Sequence, residues 1–203
     1  MFLTADQRKI NYVTYVNKLQ SVGGYSEELF SEIGERLINA PMNAYIDSGL
    51  AYLGAFIYNS MRKIAYYAVL ENEKLDESER VDKNSIVKVA LLNQISKAIQ
   101  FEPNSNKWEL ENRGIAWKYN ETDVALRTGE RSLYLCSKYG IQFTPEEFEA
   151  MLICDKTDDD YSKIYSSTLS VLIKNATNLV YNLARINYKK ELNKEKNNNI
   201  KEN

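Results

Sequence analysis

The stretch SIVKVALLNQISKAIQ, which runs from Ser85 to Gln100, decides the fold of this chain. Its apolar side chains recur at helical spacing, which predicts a buried helix with a cap at Asn84 or Ser85. Two adjacent amides, Asn93 and Gln94, lie in the middle of this apolar segment. A buried polar group without a hydrogen-bond partner costs about 1 to 3 kcal/mol. The two amides are therefore expected either to meet other polar side chains inside the fold or to face a cavity.

The composition is that of a folded domain. The chain has 203 residues, of which 44% are hydrophobic and only three are proline, and its net charge is −2. Because both signs of charge are mixed throughout, we expect no long nucleic acid and no membrane among its partners. The opening segment lacks the apolar core of a signal peptide, and polar residues interrupt the longest apolar stretch. The sequence therefore predicts a soluble, cytoplasmic protein.

Histidine is absent from the chain. Imidazole is the usual proton shuttle near neutral pH and the commonest metal ligand, so mechanisms that rely on it are excluded. Serine, cysteine and lysine have no histidine to act as their general base, and we therefore expect no enzymatic activity. The two cysteines, Cys136 and Cys154, lie in apolar segments and are expected to be reduced thiols in the core.

Hydrophobic periodicity predicts about seven helices and one short β-hairpin in an all-α domain that covers residues 1–188. The predicted helices lie at about 5–22, 26–39, 47–72, 85–100, 128–139, 145–154 and 161–188. Capping boxes at Thr4 and Thr144 mark two starts, and Gly140 marks one end. Residues 189–203 form a polar tail that is expected to be disordered. Among the residues expected to face the core are Ile10, Val13, Leu29, Phe30, Ile33, Leu37, Phe148, Met151, Leu172, Ile173 and Leu179.

The segment NKWELENRGIAWKYNE, residues 106–121, departs from the helical period. Its large apolar residues alternate with polar ones on either side of an Asn-Arg-Gly turn, which predicts a β-hairpin. The aromatic and basic residues of this hairpin are Lys107, Trp108, Arg113, Trp117, Lys118 and Tyr119. Such rings and cations could stack on a base and hold its phosphates. The other open interpretation is that the rings pack against the helices.

The order of these segments resembles that of the HD-domain phosphohydrolases, in the compact form common in phages and bacteria. The likeness spans about residues 40–185 and is one of pattern and order, because the signature residues differ. The segments that carry it are Ala40-Pro41, Ser48-Gly49-Leu50, Leu91 to Lys97, the hairpin, Gly129 to Ser132, and Leu172 to Thr177. The resemblance implies an HD-like helical bundle.

Members of that family hold one or two divalent metals with histidine and aspartate side chains. The resemblance implies that the corresponding positions are Leu53, Asn93, Gln94, Thr128, Cys154, Lys174 and Thr177. Neutral amides bind a hard divalent cation weakly, and a leucine and a lysine in the first coordination shell oppose it. The resemblance therefore implies a pseudoenzyme that holds neither a metal nor another cofactor.

Two interpretations of the former active site remain open. In the first, a cavity persists and binds a nucleotide or other phosphorylated small molecule, as in a phage anti-defence protein that sequesters a signalling nucleotide. Lys174 could then replace the charge of the metal, although it could equally pair with Asp155 or Glu130. The candidate ligand-binding residues are Asn93, Gln94, Lys97, Trp108, Trp117, Lys118, Arg127, Thr128, Arg131, Lys174 and Asn175.

In the second interpretation the cavity has filled and the chain is an oligomeric structural or protein-interaction module. An aliphatic side chain at a former ligand position, Leu53, favours this interpretation. The chain also contains fifteen tyrosines, which include the adjacent pair Tyr66 and Tyr67. These are more than one core needs, and they could supply a surface for a homo-oligomer or another partner.

Overall fold

The computed structural model describes residues 4–44, 60–120, 125–154 and 167–201. These ranges contain nine α-helices and one two-stranded antiparallel sheet, which confirms the predicted all-α class with a short hairpin. The helices are α1 (Ala5–Ser21), α2 (Glu27–Asn39), α3 (Ala65–Asn72), α4 (Lys83–Leu92), α5 (Lys97–Gln100), α6 (Lys107–Arg113), α7 (Thr128–Lys138), α8 (Pro145–Ile153) and α9 (Thr168–Lys201). The strands are β1 (Phe101–Pro103) and β2 (Trp117–Tyr119), a π-helical turn at Ser60–Ile64 precedes α3, and a 3₁₀ turn at Glu77–Glu79 follows it.

Helix α4 lies at the centre of the core. It packs against α1, α3, α7, α8 and α9, and every residue from Ile86 to Leu92 is buried. The buried hydroxyl of Tyr15 on α1 donates to the carbonyl oxygen of Leu91 at 2.6 Å. A helix that is covered on all sides must be apolar nearly all round, which is why the sequence of α4 lacks a polar face.

Several helix ends follow directly from local sequence. The capping boxes of Thr4 with Gln7 and of Thr144 with Glu147 are both present. Gly140 follows α7 with a φ of +77°, a conformation that glycine adopts without a Cβ penalty. These three predictions are confirmed.

The predicted continuous helix from Ser85 to Gln100 is wrong. Helix α4 is capped by Asp82, whose carboxylate accepts from the backbone N–H of Ser85 at 3.2 Å, and it ends at Leu92. Residues 93–96 form turns with hydrogen bonds between residues three apart, and α5 begins at Lys97. Hydrogen bonds from Ser96 to α7 stabilise this turn. The break and α6 raise the helix count above the predicted seven.

The hairpin exists, but its first strand is not the one that the sequence predicted. Strand β1, Phe101–Pro103, pairs with β2, whereas the predicted strand around Trp108 is the helix α6. The side chain of Asn106 caps α6 by accepting from the backbone N–H groups of Trp108 and Glu109. Gly114 ends the helix with a φ of +64°. The local caps therefore override the alternation of large and polar residues.

The predicted inward faces are right for α2 but only partly right elsewhere. All four apolar residues expected to be buried on α2 lie in the core, as do Met151, Leu172 and Ile173. Ile10 is 63% exposed and Val13, Phe148 and Leu179 are also exposed. Leu19, which was also expected to face the core, is buried, and Asn11 and Tyr15 complete the buried face of α1 because the hydrogen bond of Tyr15 to α4 fixes the rotation of the helix.

Helix α9 continues to Lys201, beyond the end predicted near Tyr188, so residues 189–201 are helical where a disordered tail was expected. The predicted helix at 47–72 is described only from residue 60, and Leu53 and Asp155 lie outside the described residues. Both cysteines are buried thiols that take no part in a disulfide. In the described part of the chain, no helix is both long and apolar enough to span a membrane.

Candidate functional site

Polar side chains from two segments lie between α9 and the turn that separates α4 from α5. Asn93, Gln94 and Lys97 come from the turn and the start of α5, and all three are buried. Lys174, Thr177 and Tyr181 follow one another at helical spacing on α9, so they share one face of that helix. We call these six residues the polar seam.

A hydrogen-bonded chain crosses the polar seam. The hydroxyl of Tyr181 donates to the side-chain oxygen of Gln94 at 2.7 Å and accepts from the ammonium of Lys97. The same ammonium donates to the carbonyl oxygen of Met42 at 2.6 Å and lies 5.1 Å from the centre of the Tyr181 ring. Three separate segments, at residues 42, 94–97 and 181, are therefore joined through one lysine and one tyrosine.

Asn93 differs from its neighbour Gln94. Its side chain is fully buried, and neither its amide nitrogen nor its amide oxygen has a hydrogen-bond partner within the described residues. The hydroxyl of Thr177 is also buried and without a partner in that part of the chain. Nearby, the thiol of Cys154 lies 4.0 Å from the backbone carbonyl oxygen of Asn93. Gln94 therefore has a side-chain hydrogen-bond partner, whereas the side chain of Asn93 has none within the described residues.

Serine side chains tie the turn at residues 93–96 to α7. The hydroxyl of Ser132 accepts from the backbone N–H of Ser96 at 3.1 Å and donates to the Ser96 hydroxyl at 3.0 Å. The Ser96 hydroxyl in turn donates to the carbonyl oxygen of Thr128 at 3.0 Å. These bonds give the Ser96 backbone N–H and both serine hydroxyls partners, and so stabilise the turn that follows Leu92.

A cavity of about 410 Å³ lies beside the polar seam, between α2, α5 and the hairpin. Its lining combines two cations, one carboxylate, one amide and two aromatic rings with small apolar residues. The lining residues are Arg36, Asn39, Ala40, Pro41, Lys97, Ala98, Phe101, Glu102, Pro103 and Trp117. Lys97 therefore belongs both to the polar seam and to the wall of this cavity.

The hairpin places its aromatic residues on one face. In the antiparallel register, Phe101 is opposite Tyr119 and Pro103 is opposite Trp117, so these side chains lie on the same face. The backbone N–H groups of Ala116 and Trp117 both donate to the carbonyl oxygen of Ala44. These bonds fix β2 against the segment that follows α2 and position Trp117 at the cavity.

The structure brings together some of the predicted ligand-binding residues. Asn93, Gln94, Lys97 and Lys174 belong to the polar seam, and Lys97 shares the cavity with Trp117. Thr128 and Arg131 are partly buried on the first turns of α7, where the Thr128 hydroxyl donates to the side-chain oxygen of Gln100 at 3.2 Å.

Four predicted residues lie apart from the polar seam and the cavity. Trp108 is 61% exposed on α6, and Lys118 pairs with Glu109 at 3.5 Å. Asn175 is exposed because it points about 100° away from its buried neighbour on α9. Arg127 is exposed at the start of α7, where its backbone N–H donates to the carboxylate of Glu130. The predicted hairpin site thus loses Trp108 and Lys118, because one is on α6 and the other pairs with α6.

Sequence reasoning missed Arg36 and Tyr181. Tyr181 lies seven residues after Lys174 and four after Thr177, so helical spacing could have grouped the three. No local signal singles out Arg36, because its place at the cavity depends on the packing of α2 against α5. The buried ion pair of Lys88 with Glu147, at 2.7 Å, was also missed.

No group of three or more histidine, cysteine, aspartate or glutamate side chains in the described ranges is arranged to hold a metal ion. The cavity lining itself supplies two cations, one carboxylate, one amide and two aromatic rings. Comparison of the chain with known protein families, with curated proteins and with solved structures finds no match. The resemblance to HD-domain phosphohydrolases stays a prediction that rests on the sequence pattern.

Proposed function

We propose that this chain is a non-catalytic, HD-like pseudoenzyme that binds and sequesters a nucleotide or other phosphorylated small molecule in the cavity lined by Lys97, Arg36 and Trp117. One observation carries the proposal. Lys97 and Trp117, two of the residues singled out for ligand binding from the sequence, line the same cavity together with a second cation.

The lining suits a ligand with an anionic end and a flat end. Arginine and lysine bind phosphate through charge-assisted hydrogen bonds, and the guanidinium of Arg36 can do so with two parallel bonds. An aromatic ring such as Trp117 stacks on any nucleobase. The cavity volume of about 410 Å³ falls in the range of roughly 300 to 1,000 Å³ that is usual for small-molecule sites.

The proposal that the ligand is held and not cleaved rests on the side-chain chemistry of the chain. Histidine is absent from the whole sequence, so the cavity has no imidazole to act as a proton shuttle. A binder that retains a phosphorylated ligand intact fits the sequestration of a signalling nucleotide, as in a phage anti-defence protein. That biological role is an analogy with the family that the sequence resembles.

A tryptophan pair provides the test. Trp117→Leu removes the ring at the cavity, whereas Trp108→Leu makes the same change on the exposed face of α6. Calorimetry against a panel of mono-, di- and cyclic nucleotides, with inorganic phosphate as a separate titrant, measures affinity in each variant. Because base stacking on an aromatic ring contributes about 1 to 3 kcal/mol, we expect Trp117→Leu to weaken nucleotide binding roughly 5- to 150-fold. Trp108→Leu should leave it unchanged.

An arginine pair tests the anionic end of the ligand. Arg36→Ala removes a solvent-exposed cation of the cavity, and Arg113→Ala removes an exposed arginine of α6 as the matched control. Loss of a charge-assisted hydrogen bond should weaken binding by about tenfold or more in the first variant only. Equal affinities in all four variants, or no heat with any nucleotide at millimolar concentration, would refute the proposed site.

A second candidate function is a protein-interaction or oligomeric module. Exposed apolar side chains on three neighbouring helices favour it. Tyr134 on α7, Phe148 on α8 and Val171 on α9 are all exposed, and α8 packs against both of the other helices. Light scattering after size-exclusion chromatography tests this function. A stable oligomer that Phe148→Ser dissociates would support it, whereas a monomer at high micromolar concentration would contradict the homo-oligomer.

A further inference from the structure

We propose that the polar seam holds one internal water molecule, bound between the side chains of Asn93 and Thr177. The starting observation is that three polar atoms of these two residues are buried and have no partner within the described part of the chain: Nδ2 and Oδ1 of Asn93 and Oγ1 of Thr177. Relative exposure is 0% for Asn93 and 6% for Thr177, so bulk solvent does not satisfy either side chain.

The two side chains belong to the same interface. The Tyr181 hydroxyl bonds to Gln94, which is the residue next to Asn93. Thr177 lies one helical turn before Tyr181 on the same face of α9. The hydrogen bond between Tyr181 and Gln94 therefore anchors this face of α9 beside the turn that carries Asn93.

The hydrogen-bonding capacity of the three atoms determines which ligand can bind between them. The amide nitrogen of Asn93 can only donate a hydrogen bond, its amide oxygen can only accept one, and the hydroxyl of Thr177 can do either. A metal cation would coordinate the oxygens and leave the amide nitrogen unpaired. A simple anion would accept from the nitrogen and leave the amide oxygen unpaired. Water both donates and accepts, and it satisfies all three atoms.

The energetics favour a bound water over empty space. An unpaired buried polar group is costly, and internal waters in globular proteins typically make about three hydrogen bonds to such groups. This inference is independent of the proposed function, because the water site involves neither Arg36 nor Trp117 and is tested on the protein without any added ligand.

The direct test is a high-resolution crystal structure of the full chain. We expect a density peak within hydrogen-bonding distance of both the Asn93 amide and Thr177 Oγ1, with no anomalous signal. Direct contact of the two side chains, a peak at only one of them, an anomalous metal peak, or no peak would each overturn the proposal. This test uses the unmodified protein and so does not depend on the folding of any variant.

The substitution Thr177→Val provides a second test, because the presence and the absence of the water predict opposite changes in the melting temperature. If water bridges the two residues, the loss of one of its partners should lower the melting temperature by about 2 to 4 °C. If no water is bound, valine replaces an unpaired buried hydroxyl and the melting temperature should rise. Thr14→Val, the same change on the exposed face of α1, is the matched control and should have little effect. A rise relative to this control would overturn the proposal.

Discussion

Substitution of Tyr181 by phenylalanine should destabilise the protein measurably, because one hydroxyl connects two buried side chains. The phenylalanine ring keeps its packing and its place beside the Lys97 ammonium, so the change isolates the hydroxyl. Two hydrogen bonds are lost, one with Gln94 and one with the charged Lys97. A neutral hydrogen bond contributes about 0.5 to 1.5 kcal/mol and one to a charged group about 1.5 to 3 kcal/mol.

Tyr181 is only partly buried, so water can replace part of what is lost. We therefore expect the lower part of the combined range, a loss of about 2 to 3 kcal/mol in the free energy of unfolding. For a chain of this length, that loss corresponds to a decrease of roughly 4 to 12 °C in the melting temperature.

Urea unfolding followed by circular dichroism measures this free energy directly. Tyr134→Phe is the matched control, since the Tyr134 side chain is 62% exposed. The double substitution Tyr181→Phe with Gln94→Leu should cost less than the sum of the single changes, because both remove the same hydrogen bond. A loss below about 0.5 kcal/mol for Tyr181→Phe, equal to that of the control, would refute the hydrogen-bonded chain as a stabilising feature.

Three further predictions follow from buried or hydrogen-bonded titratable groups. Glu147→Gln leaves the buried Lys88 ammonium without the carboxylate that lies 2.7 Å away. Urea unfolding should therefore show a loss of about 3 to 5 kcal/mol in the free energy of unfolding. A loss no larger than that of a surface substitution would contradict this prediction. Burial raises the pKa of Glu149, but hydrogen bonds from Ser167 and Ser170 outweigh burial and hold the pKa below its usual value of 4.5. The carboxylate therefore contributes stability above pH 4.5 that is lost as the pH falls through the lowered pKa. In Glu149→Gln, the free energy of unfolding should therefore decrease less steeply as the pH is lowered. Burial raises the pKa of the Cys136 thiol to about 12, so a thiol reagent at pH 8 should label it only after unfolding, and rapid labelling of the native protein would disprove its burial.

The sequence predicted the parts of the fold that depend on neighbouring residues. The capping boxes of Thr4 and Thr144 and the positive φ of Gly140 are set within one helical turn, and all three are found as expected. The apolar face of α2 was also predicted correctly, because its four core positions repeat at a spacing that only a helix satisfies.

The errors arose where contacts distant in the chain decide the outcome. The rotation of α1 depends on the hydrogen bond from Tyr15 to Leu91, which lies 76 residues away in sequence. The break after Leu92 depends on Ser132, whose hydroxyl bonds to Ser96. Neither partner can be identified from local periodicity, because the competing continuous helix has equally good propensity.

The candidate site was likewise predicted only where the signal was local in the sequence. The importance of Asn93 and Gln94 followed from their position in an apolar segment, and both are buried. Their different environments could not be predicted, because only the packing of α9 reveals that Tyr181 reaches Gln94 and not Asn93. Arg36 joined the site through the packing of α2 on α5, which no pattern in the sequence specifies.

The central position of α4 has a consequence for the exchange of backbone amide hydrogens with solvent. Because helices cover α4 on all sides, a local opening that exposes Val89, Ala90 or Leu91 would have to displace several neighbours at once. Amides in such a position exchange only when the whole cooperative unit unfolds. The slowest protons in deuterium oxide should therefore be those of α4, and their exchange rate would report the global opening equilibrium. The short helix α6, which buries none of its residues, should exchange among the fastest of the helical segments.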